Sequence, residues 1–151
     1  MKEALENSKE ELKRIDHLIY VTLKYTRTVD VLISVIERSI NSYEFAIDSL
    51  LKMAYGQKKI ESIPNVPLLK AKKVKELYKQ KIIQENIDRY LLFRKLLKSS
   101  YDRKNEYRRH VTMISQVEGK TIEINIDNIT EMFHSLRKFI DHVDKLIREN
   151  D

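Results

Sequence analysis

The sequence predicts a mainly α fold: an antiparallel helical bundle of about five helices with one small β-hairpin before the C-terminal helix. Three observations lead there. Backbone breakers are scarce, with two glycines and two prolines in 151 residues, while Leu, Ile, Lys and Glu abound, a composition that favours long helices over strands and turns. Apolar residues recur at three- and four-residue spacing over most of the chain. Only residues 111–126 switch to a period of two, around a Glu-Gly dipeptide suited to a tight hairpin turn. With 42% apolar residues one continuous core can form, and residues 1–151 are expected to make a single helical-bundle domain.

The first helix is predicted from about Glu3 to Tyr25, because Leu12, Ile15, Leu18, Ile19 and Leu23 share one face. A second follows from about Thr28 to Tyr55, with Val31, Leu32, Val35, Ile36, Ile40, Tyr43, Ile47, Leu50, Leu51 and Ala54 as its stripe and Gly56 as its stop. The short connection at Thr26-Arg27 makes the two fold back on each other. Residues 56–68 read as an ordered crossover loop: each proline disfavours helix at the residue before it, and Ile60, Ile63, Val66 and Leu68 are apolar enough to pack.

A basic helix is predicted over about Leu69–Ile83 and another over about Glu85–Ser99, with one bent helix across both as the alternative. Tyr101–Arg109 is polar and fits either a helical turn or a loop. In the hairpin, pairing Val117 with Lys120 sets Ser115 opposite Ile122, Met113 opposite Ile124 and Val111 opposite Ile126, which collects the apolar residues on one face. The last helix is predicted to start with Asn128 as cap and Glu131 closing a capping box, and to run to about Arg148.

Several chemistries are excluded. The chain has no cysteine, so disulfides, thiolate nucleophiles and Cys-ligated metal have no donors. Gly56 and Gly119 are the only glycines, so no Gly-rich phosphate loop exists, and no small-molecule cofactor is expected. The opening Met1–Asn7 alternates charged and apolar residues, which is unlike a secretory leader, and apolar runs such as Leu18–Val21 are too short to span a bilayer. A cytoplasmic protein without membrane contact is the expectation.

Lys and Arg number 29 against 23 Asp and Glu, a net charge of +6. The excess is concentrated around the fourth helix, and Lys72, Lys73, Lys75, Arg94, Lys98, Arg108 and Arg109 are the candidate nucleic-acid contacts. Such cations bind phosphates by counterion release, and Tyr78, Tyr101 and Tyr107 among them could stack on bases. Solvated helix faces balanced by Glu76, Glu85, Asp102 and Glu106 are the commoner reading of such charges. Elsewhere, Glu131-Met-Phe-His134 has the spacing used by carboxylate-bridged di-iron bundles, but it occurs once, and His17 and His142 lack co-ligands. No metal site is expected.

Arg103-Lys-Asn-Glu-Tyr-Arg-Arg-His110 places an arginine before a histidine with six residues between. The spacing resembles the Arg-(four to six residues)-His signature of HEPN proteins, small all-α domains built on a helical bundle and often dimeric. Many active members are metal-independent ribonucleases or partners of nucleotidyltransferases in toxin–antitoxin pairs. The resemblance implies that His110 would be acid or base at the ribose 2′-hydroxyl or leaving oxygen, and that Arg103 would stabilise charge on the phosphate. Two such pairs would meet across a dimer interface. Lys104 stands where active members commonly carry a small polar residue. On one unbroken helix, positions seven apart share a face, whereas the hairpin register makes His110 the start of a strand. The whole chain is also similar to small archaeal proteins of HEPN-like plan, in which a loop like Ile63-Pro-Asn-Val-Pro67 links two helical halves.

Two functions are therefore expected from sequence. The first is a helical module acting by association, as a homodimer through helix faces, with RNA or a protein partner. The alternative is a metal-independent HEPN-type ribonuclease using Arg103 and His110.

Overall fold

A computed structural model describes residues 1–150. The chain is mostly helical, with five helices and a small three-stranded antiparallel sheet. Helix α1 spans Lys2–His17 and continues through a π-helical turn, Leu18–Thr22, into a last turn, Leu23–Tyr25; α2 spans Val29–Gly56, α3 Pro67–Leu77 and α4 Lys81–Lys98. Strands β1 (Tyr101–Lys104), β2 (Thr112–Val117) and β3 (Lys120–Asn125) precede α5, Ile126–Glu149. No helix is long and apolar enough to cross a membrane.

Helix α2 forms where its stripe predicts. Thr28 caps it, its hydroxyl accepting from the Val31 N–H at 3.3 Å, and the helix ends at Gly56. It runs back along α1, since Ser42 meets Ser8 and Arg38 meets Glu11. The two serines exchange hydroxyl-to-carbonyl hydrogen bonds at 3.0 and 3.2 Å, which satisfies both groups where small side chains let the backbones approach. Glu11 is buried and takes Arg14 at 3.1 Å and Arg38 at 3.4 Å.

One cluster of buried apolar residues draws on every helix and on β2 and β3. At its centre the Tyr43 ring lies 5.9 Å from Tyr90, 6.4 Å from Phe93 and 5.6 Å from Phe139, so α2, α4 and α5 meet on one aromatic knot. The Tyr43 hydroxyl donates to Asn86 Oδ1 at 2.7 Å, and Asn86 Nδ2 donates to the Ile82 carbonyl at 2.8 Å. Burial holds the phenol pKa values of Tyr43 and Tyr90 well above the ordinary 10.0, and the hydrogen bond to Glu44 adds to the rise at Tyr90.

The segment from the crossover loop to α4 differs from the sequence reading. The break between α3 and α4 falls at Tyr78–Gln80, not at Gln84. Tyr78 leaves the helix in extended backbone with its ring buried and its hydroxyl donating to the Leu50 carbonyl. Gln84 sits inside α4 and its amide donates to the Lys75 and Tyr78 carbonyls at 2.8 and 2.7 Å, so it caps the end of α3. Helix α3 starts at Pro67, whose missing N–H costs nothing at a first turn. In the crossover, Ile60 and Ile63 pack against the core as predicted, but Val66 and Leu68 are exposed.

The predicted hairpin is part of a three-stranded sheet in the order β1-β2-β3. Its inner register is the predicted one, with Val117 opposite Lys120, Ser115 opposite Ile122 and Met113 opposite Ile124. Glu118 and Gly119 both have positive φ, 52° and 77°, the two-residue turn that matches strand twist. The predicted Val111–Ile126 pair is absent from the ladder because Ile126 already begins α5. That helix is capped by Asn125, which exchanges 2.9 Å hydrogen bonds with Asn128, in place of the predicted Asn128–Glu131 box. Strand β1 takes up part of the unassigned stretch, pairing Tyr101 with Ser115 and Arg103 with Met113.

Candidate functional site

Helices α3 and α4 each bury one face in the core, Ala71 and Val74 from α3 and Ile83 and Ile87 from α4, all fully buried. This fixes how the outer faces sit. From α3, Leu68, Lys72 and Lys75 follow one another at four- and three-residue spacing; from α4, Leu91, Arg94, Lys95 and Lys98 do the same. Both stripes line a single groove of about 360 Å³. Five cations and two leucines line it, a composition that suits an anionic chain with flat, partly apolar groups.

The five cations are not equivalent. Arg94 is pinned: it donates to Glu44 Oε2 at 2.9 Å and its guanidinium lies 5.8 Å from the Tyr90 ring centre, while the Tyr90 hydroxyl donates to the same carboxylate at 2.7 Å. Lys75 pairs with Asp88, and Lys95 with Glu118 at 2.7 Å, both on the exposed rim. The hydrogen bond from Lys95 is the main reason the Glu118 carboxyl is held below the usual carboxylate range. Lys72 and Lys98 have no carboxylate partner among the described residues, and both are exposed. The groove thus offers two free charges and two loosely held ones.

Of the seven basic residues singled out from sequence, the structure brings Lys72, Lys75, Arg94 and Lys98 together in this groove. Lys73 lies off it, paired with Glu76 at 3.3 Å. Arg108 and Arg109 are exposed in the β1–β2 loop. Lys95 was part of the basic tract without being singled out; its spacing from Leu91 and Lys98 is the signal that identifies it. Of the three tyrosines suggested for stacking, Tyr78 is buried and unavailable, whereas Tyr101 and Tyr107 are exposed.

Arg103 and His110 lie at opposite ends of the β1–β2 connection. Arg103 is on β1, where Nη2 donates to Asp30 at 2.8 Å and to the Tyr101 hydroxyl at 3.2 Å and Nη1 donates to Glu106 at 3.2 Å. The hydrogen bonds to Asp30 and Glu106 raise its pKa further. His110 is exposed in the turn before β2, its carbonyl accepting from the Thr112 hydroxyl at 2.8 Å. The two residues are on a strand and a turn, not on successive turns of one helix.

Glu131 and His134 are both exposed on α5, and His134 Nε2 lies 3.1 Å from the Tyr20 hydroxyl. Among the described residues no group of three His, Cys, Asp or Glu side chains converges as a metal site would require. In comparisons with known proteins the chain matches no family model, no curated protein and no solved structure.

Proposed function

We propose that the chain is a HEPN-like helical module, an antiparallel bundle acting as a homodimer, that binds RNA through the groove between α3 and α4. The groove is the observation that carries this reading: cations at helical spacing on two packed helices face one channel, and Lys72 and Lys98 lack a carboxylate to neutralise them. A helix face that merely keeps a protein hydrated gains nothing from aiming its charges at those of a neighbour, since like charges brought together repel. A phosphate chain would relieve that repulsion. An RNA ligand is favoured over an acidic protein because the two leucines lining the groove suit the faces of bases.

Association is favoured over cleavage because the guanidinium of Arg103 is occupied by Asp30 and Glu106, which compete with a phosphate for the same N–H groups. The test is incubation of the purified protein with labelled single-stranded and structured RNA in excess EDTA, read for retention and for cleavage. Retention that falls with salt and is lost in the Lys72→Glu/Lys98→Glu double variant supports the binding module. Cleavage lost in His110→Ala would replace it with the ribonuclease, and retention unchanged in the double variant would remove the groove from the account. Sedimentation that shows only monomer at high concentration would remove the dimer.

A further inference from the structure

We infer that the ligand of the groove is single-stranded, and that a strand leaving it at Lys98 crosses the edge of β1 and stacks bases on Tyr101, Tyr107 and Tyr25. This rests on the reading of the groove as an RNA site.

The path is continuous along the chain. Lys98, at the groove's end, is three residues from Tyr101, a span of at most about 10 Å. Tyr101–Lys104 then runs as an exposed edge strand, since β1 pairs only with β2. Arg103 covers the Tyr101 ring, its guanidinium 5.5 Å from the ring centre. Beyond the strand, the loop turns onto the corner between α1 and α2, where the Tyr107 N–H donates to the Arg27 carbonyl at 2.6 Å and Arg103 bonds Asp30. That docking brings Tyr107 to the segment that carries Tyr25.

These two tyrosines are the most exposed large apolar residues of the chain, at 84% for Tyr25 and 77% for Tyr107. Neither ring contributes to the core. Tyr107 also adopts φ +66°, a left-handed conformation that glycine or asparagine would take more easily than a bulky aromatic. Folding therefore does not call for a tyrosine at either position. Lys104, Arg108 and Arg109 flank the corner, exposed and without ion-pair partners among the described residues, whereas Arg103 is neutralised. Aromatic faces among unpaired cations are the composition of a base-stacking platform. Such a platform requires unpaired bases, since those of a duplex already stack on one another.

The experiment compares wild type with Tyr25→Ala, Tyr107→Asn and their combination, using Tyr55→Ala, an exposed tyrosine at the far end of α2, as control. Asparagine keeps the left-handed backbone while removing the ring. Binding of labelled oligouridylate and of an RNA duplex of equal length is followed by anisotropy. Quenching of tyrosine emission is read alongside, which is clean because the chain has no tryptophan. The combined variant is expected to lose about tenfold or more in affinity for oligouridylate. Its salt dependence should stay that of wild type, because no charge is removed, and Tyr55→Ala should behave as wild type. If the tyrosine variants bind oligouridylate as wild type does while Lys72→Glu/Lys98→Glu loses binding, the groove stands and the platform falls. Equal affinity of wild type for duplex and single strand also overturns it. If wild type binds neither RNA, the reading of the groove fails first and the platform with it.

Discussion

The sharpest consequence of the groove is a slope. Each phosphate neutralised by a lysine or arginine releases counterions, and for single strands the logarithm of affinity falls against the logarithm of salt by about 0.7 per contact. Lys72 and Lys98 are free, and Lys75 and Lys95 sit in rim pairs that water and salt weaken readily. Arg94 is committed to Glu44 and Tyr90 and is left out of the count. Four contacts give a slope of about −2.8, so affinity should drop about fiftyfold when salt rises from about 50 to 200 mM. In Lys72→Ala/Lys98→Ala two contacts remain, the slope halves to about −1.4, and the same change in salt should cost only about sevenfold. Anisotropy titrations with labelled oligouridylate over a salt series measure both lines. Lys73→Ala, which removes a lysine of the same helix that lies outside the groove, should leave the slope as in wild type. If the double variant and wild type show parallel lines, the groove lysines do not touch phosphate and the reasoning fails.

Three further outcomes follow from the fold. Tyr43→Phe deletes a hydroxyl 2.7 Å from Asn86, with both residues essentially inaccessible, so it should destabilise by about 1–3 kcal/mol and lower the melting temperature by several degrees; urea denaturation showing no loss would mean that the Asn86 carbonyl finds another donor. Because the pKa values of Tyr43 and Tyr90 are raised above 10.0 in the folded state, the stability they contribute is complete below pH 10 and is lost as pH rises toward their folded values. Exposed tyrosines should therefore ionise first and the last phenolate absorbance should emerge with unfolding, and eight tyrosines titrating together with helical circular dichroism intact would contradict this. Asn125→Ala removes the acceptor for the Asn128 N–H at 2.9 Å, and should cost about 1 kcal/mol in thermal or chemical denaturation; an unchanged midpoint would show that the cap carries no net weight.

The helices and the hairpin were legible because their causes are local. A stripe at three- and four-residue spacing specifies which side of a helix must be buried whatever it packs against, and so α2 appeared within a residue of its predicted bounds. The β2–β3 register followed from alternation plus a two-residue turn. Boundaries set by side-chain hydrogen bonds were less legible: Asn125 and Asn128 are both good caps, and only the backbone entering α5 from β3 selects the first. The predicted helix ends met at Gln84, whereas its amide closes the end of α3 from inside α4, a contact that exists only once α3 has turned back onto α4.

The sequence by itself determined the helical class, the stripes that become the core, the hairpin register and the presence of a basic tract. It could not say which of those cations share a surface, because a helix face has meaning only relative to what buries the opposite one. With Ala71 and Val74 buried in the core, α3 turns Lys72 and Lys75 into the groove and leaves Lys73 outside it, paired with Glu76. Strand β1 has no alternation and all four of its residues are exposed, so only the backbone donors and acceptors of β2 make it a strand. The fate of the tyrosines was likewise tertiary: Tyr78 is drawn inside by the Leu50 carbonyl, and Tyr25 and Tyr107 are left in solvent because the corner they occupy is held by backbone and ion pairs that do not need their rings.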